Sequence, residues 1–307
     1  MSKKDLSLKL QNPFRDYIKE FFSVDKFKNS IRIAAKNLPR EKKEYQVVIM
    51  AAGKSSRMNI DYPKTLYKFN YPGKNCTILA NTLNLISKLP QKVSKVFVVI
   101  RDEDAPFYDK LKNTDNVEFI KLNSNQIKGT ANCLLCIKQY LQKDLDILMF
   151  WGDLVLIPKF DVVISVDMHN ILKNSLTFPT RYKLNPYVAF IRDENGKIIE
   201  IAHKNEGKNF TDWAEQDCSF FILNYSLFTE LAKFIDNRKL IESGESKEID
   251  FVHFILFLTS SNKRICPLPI SNDNYVYDIN TIESAKNVQK KLDEISKPEF
   301  ERIFLSN

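Results

Sequence analysis

At 307 residues, with 44% apolar and 12% aromatic side chains, the chain can bury a full core in one large domain, or in one domain plus an appendage, which excludes a disordered or low-complexity protein. No run approaches the ~18 uninterrupted apolar residues of a membrane helix, and the charged start Met1–Leu10 lacks the apolar core of a secretory leader. The net charge of +8 comes from lysines scattered along the chain without an aromatic-basic RNA motif, so small phosphorylated ligands account for it better than nucleic acid.

Residues 1–44 stand apart from the rest. Phe14, Tyr17, Ile18, Phe21 and Phe22 recur at helical spacing, as do Phe27, Ile31, Ala34 and Ala35, and a charged, proline-bearing linker follows from Asn37 to Glu44. Two short amphipathic helices are expected there, as a brace on the main domain or as the surface of a homo-oligomer. The main domain is expected to span 45–307.

From Tyr45 the pattern alternates between strand and helix. A strand over 46–52 runs into Gly53, Lys54, Ser55, Ser56 and Arg57. Thr77 caps a helix reaching Leu89, Val96–Ile100 is a second buried strand, and a helix follows near 104–112. Val117–Ile120 is a third strand. Gly129-Thr130 opens a helix through Leu141, and Asp146–Phe150 is a fourth strand. Continuous apolar strands alternating with helices predict an α/β fold with a mostly parallel central sheet covered by helices on both faces. After Pro158 the pattern is mixed: a hairpin around Asn195-Gly196 joins 187–191 to 197–201, and a strand is expected over Cys218–Leu223. Helices are expected over 226–236, 248–259 and 281–297. The latter half thus forms a smaller antiparallel subregion.

Ligands of such sheets bind beyond the carboxyl ends of the strands, and four oxygen- or glycine-rich segments fall there. The first is Ala51-Ala52-Gly53-Lys54-Ser55-Ser56-Arg57 with Pro63-Lys64. Its small residues let backbone N–H groups cradle phosphate oxygens, and Arg57 and Lys64 add two cations. It is neither a P-loop nor a dinucleotide fingerprint, since both glycine patterns are missing. Gly129-Thr130-Ala131, after Gln126, offers amides and a hydroxyl to a nucleobase. Gly152-Asp153 places a carboxylate just past a strand, and Asp278-Ile279-Asn280 is a second oxygen-rich turn. Oxygen ligands from two distant segments, completed by substrate phosphates, suit Mg²⁺. Cys133 and Cys136 have no second pair, so they are expected to pack rather than bind metal. The odd total of five cysteines argues for reduced thiols in a cytoplasm.

In that order, these segments resemble the nucleotidyltransferase superfamily that activates sugar phosphates and related alcohol phosphates, from about Tyr45 to Leu292. They are most similar to the uridyltransferase domain of N-acetylglucosamine-1-phosphate uridyltransferases. The resemblance implies a Rossmann-like nucleotidyltransferase fold and in-line attack of an acceptor phosphate on a nucleotide α-phosphorus, with release of pyrophosphate. It assigns the triphosphate to Ala51, Ala52, Gly53, Ser55, Ser56 and Arg57, with Gly152 beside them. It assigns developing charge to Lys64, the base to Gln126, Gly129 and Thr130, and the acceptor's phosphate to Lys204. The metal goes to Asp153 and Asn280, with Asp278. UTP and a sugar 1-phosphate are the favoured pair. Cytidyl transfer to a small phosphorylated alcohol or sugar is the alternative, and a nucleotide-binding regulator without turnover is the third reading. Two departures bear on the acceptor: Ser55 stands at a loop glycine, and Ala202 at the glutamate that contacts the aminosugar.

Overall fold

Strand β1 (Glu44–Met50) is the spine of the central sheet, because its valines and isoleucine suit a strand buried on both faces. A hairpin of β2 (Lys68–Tyr71) and β3 (Lys74–Thr77) follows. Next come α1 (Ile78–Ser87), β4 (Lys92–Arg101), the short α2 (Ala105–Tyr108), β5 (Val117–Leu122) and α3 (Thr130–Cys136). The first half closes with β6 (Asp146–Trp151), β7 (Leu154–Leu156) and α4 (Lys159–Ile171). The second half contains β8 (Leu176–Leu184), β9 (Val188–Arg192), β10 (Ile198–His203), β11 (Trp213–Asp217) and β12 (Phe220–Leu223). After these lie α5 (Leu227–Leu240), α6 (Phe251–Thr259), β13 (Ile265–Leu268), β14 (Tyr277–Asp278) and α7 (Ile282–Glu294). This computed structural model describes residues 43–111, 116–208, 210–240 and 248–305. The helices expected before Lys43 lie outside the described residues.

The large sheet has the order β10-β9-β11-β8-β12-β6-β1-β4-β5, with β13 also paired to β8. β6, β1, β4 and β5 run parallel, whereas β12 is antiparallel to β6 and begins an antiparallel wing through β8, β11, β9 and β10. The expected parallel core and antiparallel subregion are therefore present, joined in one sheet. Alternate side chains of the core strands feed two apolar layers. Val48, Met50, Ile147 and Met149 pack under α3, α5 and α6, while Val47, Ile49, Leu148 and Phe150 pack under α1 and α4. Each such side chain, fully buried, is worth about 1.5–3 kcal/mol, so both helical layers are held by the same four strands.

Several boundaries differ from expectation. Thr77 does cap α1, accepting from the Ala80 N–H at 3.1 Å. The helix near 104–112 is only α2 flanked by 3₁₀ turns, and among the described residues of this stretch Ala105 and Tyr108 are the buried ones. The helix expected to reach Leu141 ends at Cys136 and tightens into a 3₁₀ turn over Lys138–Tyr140. Helix α4 and strands β8, β11 and β13 were not expected. Among the described residues no helix is long and apolar enough to cross a membrane.

Candidate active site

The carboxyl ends of β1 and β6 open into a cleft of about 510 Å³, walled on its far side by the antiparallel wing and by α6. The glycine-serine loop enters it directly from β1. Ala51 continues the ladder, its N–H donating to Val99 O at 2.8 Å, and Ala51 and Ala52 are buried while Gly53 and Lys54 are exposed. Ser55 is left-handed at φ +55°, which is why a glycine is natural at this position. Its hydroxyl accepts the Lys64 N–H at 2.8 Å, offsetting the cost of that backbone and tying the loop to the Pro63-Lys64 segment. Ser56–Met58 then turns as a 3₁₀ helix and buries Met58 under β2 and β7.

The charged groups meet across the cleft. Lys64 Nζ lies 2.6 Å from Asp153 Oδ2. Arg57 donates to Tyr187 Oη at 2.7 Å and to Asn280 Oδ1 at 3.1 Å, with its guanidinium 5.2 Å from the Tyr187 ring centre. Gly152 is forced by packing: a Cβ there would stand 2.7 Å from Met50 O and from Thr65 Cγ2. β7 pairs with β14, and the Ile279 N–H donates to Asp153 O at 3.2 Å, so Asp153 and Asn280 sit on neighbouring segments although 127 residues separate them.

Behind them, Arg181 of β8 is fully buried. It binds Asp278 at 2.5 Å, Asp273 at 3.3 Å and the Val276 carbonyl. Burial alone would raise the Asp278 pKa, but Arg181, Lys183 and Lys64 outweigh it and hold the carboxyl below its ordinary value. Asp217, at the end of β11, has no such ion pair among the described residues. Burial pushes it up to about 6, against the opposing pull of the Ser219 N–H at 2.8 Å and of Arg181.

The oxygen donors Asp153, Asn280 and Asp278 fit a hard divalent cation that takes few protein ligands and keeps substrate phosphates or water in its other positions. Among the described residues no group of three or more His, Cys, Asp or Glu is arranged to hold a metal by itself. Each of the three has a cationic partner, Arg181 on Asp278, Lys64 on Asp153 and Arg57 on Asn280, but Lys64 and Arg57 belong to the phosphate-loop side of the cleft whereas Arg181 is buried behind it.

Two other expected residues are placed differently. Gln126 caps its own turn, its Oε1 accepting the Asn123 N–H at 3.0 Å, and Lys204 Nζ donates to Asn185 O at 3.1 Å; neither lines the cleft. Gly129 and Thr130 do line it, yet both are also committed to packing. Gly129, at φ +112°, sits against the Ile249 backbone, and the Thr130 hydroxyl accepts the Phe251 N–H at 2.8 Å, starting α6. Cys133 is buried in the core with its thiol pushed up to about 12 by burial, as expected of a packing residue. Tyr187, His203, Gln216, Asp217 and Ser219 line the cleft from the wing, and of these Tyr187, Gln216 and Asp217 carry no local sequence signal. Ser219 alone betrays itself in the backbone, at φ +61°.

A comparison with known families covers the segment that builds this floor. Residues 47–166 match the MobA-like NTP transferase domain. The chain is 29% identical over 229 residues to the bifunctional protein GlmU of Buchnera aphidicola subsp. Schizaphis graminum, covering 73% of this chain and 46% of that one. It therefore spans about half the length of that relative. Two solved structures share the fold at 14% identity. The inositol-1-phosphate CTP transferase of T. maritima has a TM-score of 0.57 over 82% of this chain and 98% of its own. A putative glucose-1-phosphate thymidylyltransferase of Bacillus anthracis has a TM-score of 0.62 over 82% and 96%. The likeness to sugar-phosphate nucleotidyltransferases read from the sequence is thus borne out, and the fold is theirs.

Proposed function

We propose that this chain is a metal-dependent nucleotidyltransferase that joins the nucleotidyl part of a nucleoside triphosphate to a small phosphorylated acceptor. The observation that carries the reading is the convergence of Arg57, Lys64, Asp153 and Asn280 on one cleft at the carboxyl ends of β1 and β6. A phosphate oxygen of the acceptor attacks the α-phosphorus, the bond from the α-phosphorus to the bridging oxygen breaks, and pyrophosphate leaves with that oxygen. No protein nucleophile is required, so the residues act by positioning and by opposing negative charge.

Amides of Ala52 to Ser56 and the Arg57 guanidinium hold the triphosphate, and Lys64 turns from Asp153 to the α-phosphate as charge builds there. Asp153 and Asn280 hold Mg²⁺, which when bound neutralises phosphate charge and aligns the leaving group. UTP is the favoured nucleotide and a sugar 1-phosphate the favoured acceptor, on the likeness to GlmU. CTP is the second choice, on the fold shared with the inositol-1-phosphate CTP transferase. The catalytic unit is taken as residues 45–307 and its setting as cytoplasmic, with residues 1–44 an appended segment available for self-association.

The test is pyrophosphate release with Mg²⁺ across the four common nucleoside triphosphates and a panel of sugar and alcohol phosphates, with Asp153→Ala as control. Release with one pair, lost in the variant, supports the reading. Silence with every pair, together with no thermal stabilisation by any triphosphate, rejects it.

A further inference from the structure

β10 ends in His203, Lys204 opens the 3₁₀ turn that follows, and the structure separates their roles. Lys204 turns outward to Asn185 O and does not reach the cleft. His203 faces inward: it is 5% exposed, lines the cleft, and its Nδ1 is buried without a hydrogen-bond partner. Its neighbour Ala202 points to the opposite side of the strand, into a small cluster with Ala189, Phe210 and Ala214, as alternation along a strand requires. The imidazole is fixed in place. Its ring packs edge-on to Tyr187 at 5.0 Å and lies 6.1 Å from the His253 ring, which is itself held by Glu206 at 3.0 Å.

A buried polar atom left unpaired is costly, and native interiors pair most of them with protein, water or a ligand. The ring lines the wing side of the cleft, across from the phosphate loop, where the acceptor's body must lie if its phosphate faces the loop. Around it stand Tyr187, Gln216, Asp217 and Asp250. Lys204, the cation expected to serve this wall, is directed away. We propose that His203 is the specificity-determining residue for the acceptor, pairing its imidazole with a hydroxyl group and so selecting a polyhydroxylated phosphate over one without hydroxyls. This rests on the nucleotidyltransferase reading, since it takes the phosphate loop as the nucleotide end of the cleft. A site built to pair a hydroxyl discriminates strongly against a ligand that leaves its buried group unpaired.

The experiment is equilibrium binding, measured by calorimetry on the full chain with Mg²⁺ and the non-cleavable α,β-methylene analogue of UTP or CTP. The ligands are glucose 1-phosphate, inositol 1-phosphate and, as the hydroxyl-free control, phosphocholine. His203→Phe keeps a ring against Tyr187 and His253 but removes the nitrogen, and His203→Asn restores a polar group. The expected result is that wild type binds a hydroxylated phosphate at least 10-fold more tightly than phosphocholine. His203→Phe should lose about 10-fold for that ligand alone, with partial recovery in His203→Asn and nucleotide affinity within 2-fold of wild type. The proposal is overturned if neither hydroxylated ligand binds, if phosphocholine binds as well as they do, or if His203→Phe leaves their affinity unchanged or weakens all three ligands equally. Because binding is read without turnover, these outcomes are distinct from failure of the enzymatic reading, which shows as loss of nucleotide binding itself.

Discussion

Replacing Arg181 by methionine isolates the ion pair that holds Asp278 behind the cleft. The guanidinium is wholly buried and its partner Asp278 is only 15% exposed, so solvent screens the pair little. Removing one member of a buried ion pair costs about 3–5 kcal/mol, mostly because the other charge is left uncompensated. In Arg181→Met the Asp278 carboxylate retains Lys183, at 4.0 Å, as its nearest ion-pair partner, and the Val276 carbonyl loses its donor. At roughly 2 °C per kcal/mol, the low end for large domains, the melting temperature should fall by about 6–10 °C. The sign of the pH dependence follows from Asp278. Its folded pKa is lowered, so the pair stabilises the fold above the unfolded carboxylate value of about 3.9, and that contribution fades as pH falls through the lowered folded value. The assay is thermal unfolding in EDTA at pH 7.5 and at successively lower pH, for wild type, Arg181→Met and Arg181→Met/Asp278→Asn. The double variant should recover part of the loss. A single variant within 2 °C of wild type, or a double variant no better than the single, would refute the argument that Arg181 anchors β14 by charge.

Gly129→Ala forces a Cβ to 2.6 Å from Ile249 O at a positive φ and should lower stability by about 1–3 kcal/mol, whereas Gly207→Ala, also left-handed but facing open space, should cost less; melting curves of the two compare them directly. Lys64→Ala should reduce pyrophosphate release by about 10²–10³-fold, the usual loss for one charge-stabilising donor, and an unchanged rate would remove Lys64 from the chemistry. Asp153→Ala should abolish the Mg²⁺-dependent stabilisation by UTP, which in wild type at 100 times Kd amounts to about 2.7 kcal/mol by thermal shift. Asp146→Asn should cost about 1–3 kcal/mol near neutral pH, because Lys43 and His169 hold this carboxyl below its ordinary pKa despite burial. The cost should vanish in acid, since the stabilisation is lost as pH falls through the lowered value; a pH-independent difference in melting would contradict it.

The parallel core was legible because its strands are buried on both faces and so read as unbroken apolar runs, as in Val96–Ile100. The wing was not. β8 carries Pro179 and the buried Arg181, and a proline together with a charge argues against a central strand until Asp278 and β13 are known to stand beside it. β11 reads Trp-Ala-Glu-Gln-Asp, yet Glu215 is buried because Arg192 of β9 binds it at 2.6 Å. Helix α4 hides for a similar reason, since Asp161, Ser165 and His169 all face inward and blur its periodicity. The same division runs through the cleft. Its loop, Gly152-Asp153 and Asn280 announce themselves by local chemistry, whereas Tyr187, His203 and Asp217 arrive through long-range strand pairing that no window of sequence contains.

The reach of Arg57 from the loop to Tyr187 and Asn280 also has a kinetic meaning. One side chain spans the two walls, so the proposed triphosphate would compete with Tyr187 and Asn280 for the same guanidinium. A nucleotide that drew Arg57 onto its phosphates would unlatch the wing and leave the Asn280 amide oxygen to a cation. The acceptor's seat is then completed only once the nucleotide is in place. The two substrates should therefore enter in a fixed sequence, nucleotide first, and Arg57→Lys, too short to make both contacts, should convert that sequence into random entry. Initial-rate and product-inhibition patterns would reveal the change, and random entry in the unmodified protein would rule the latch out.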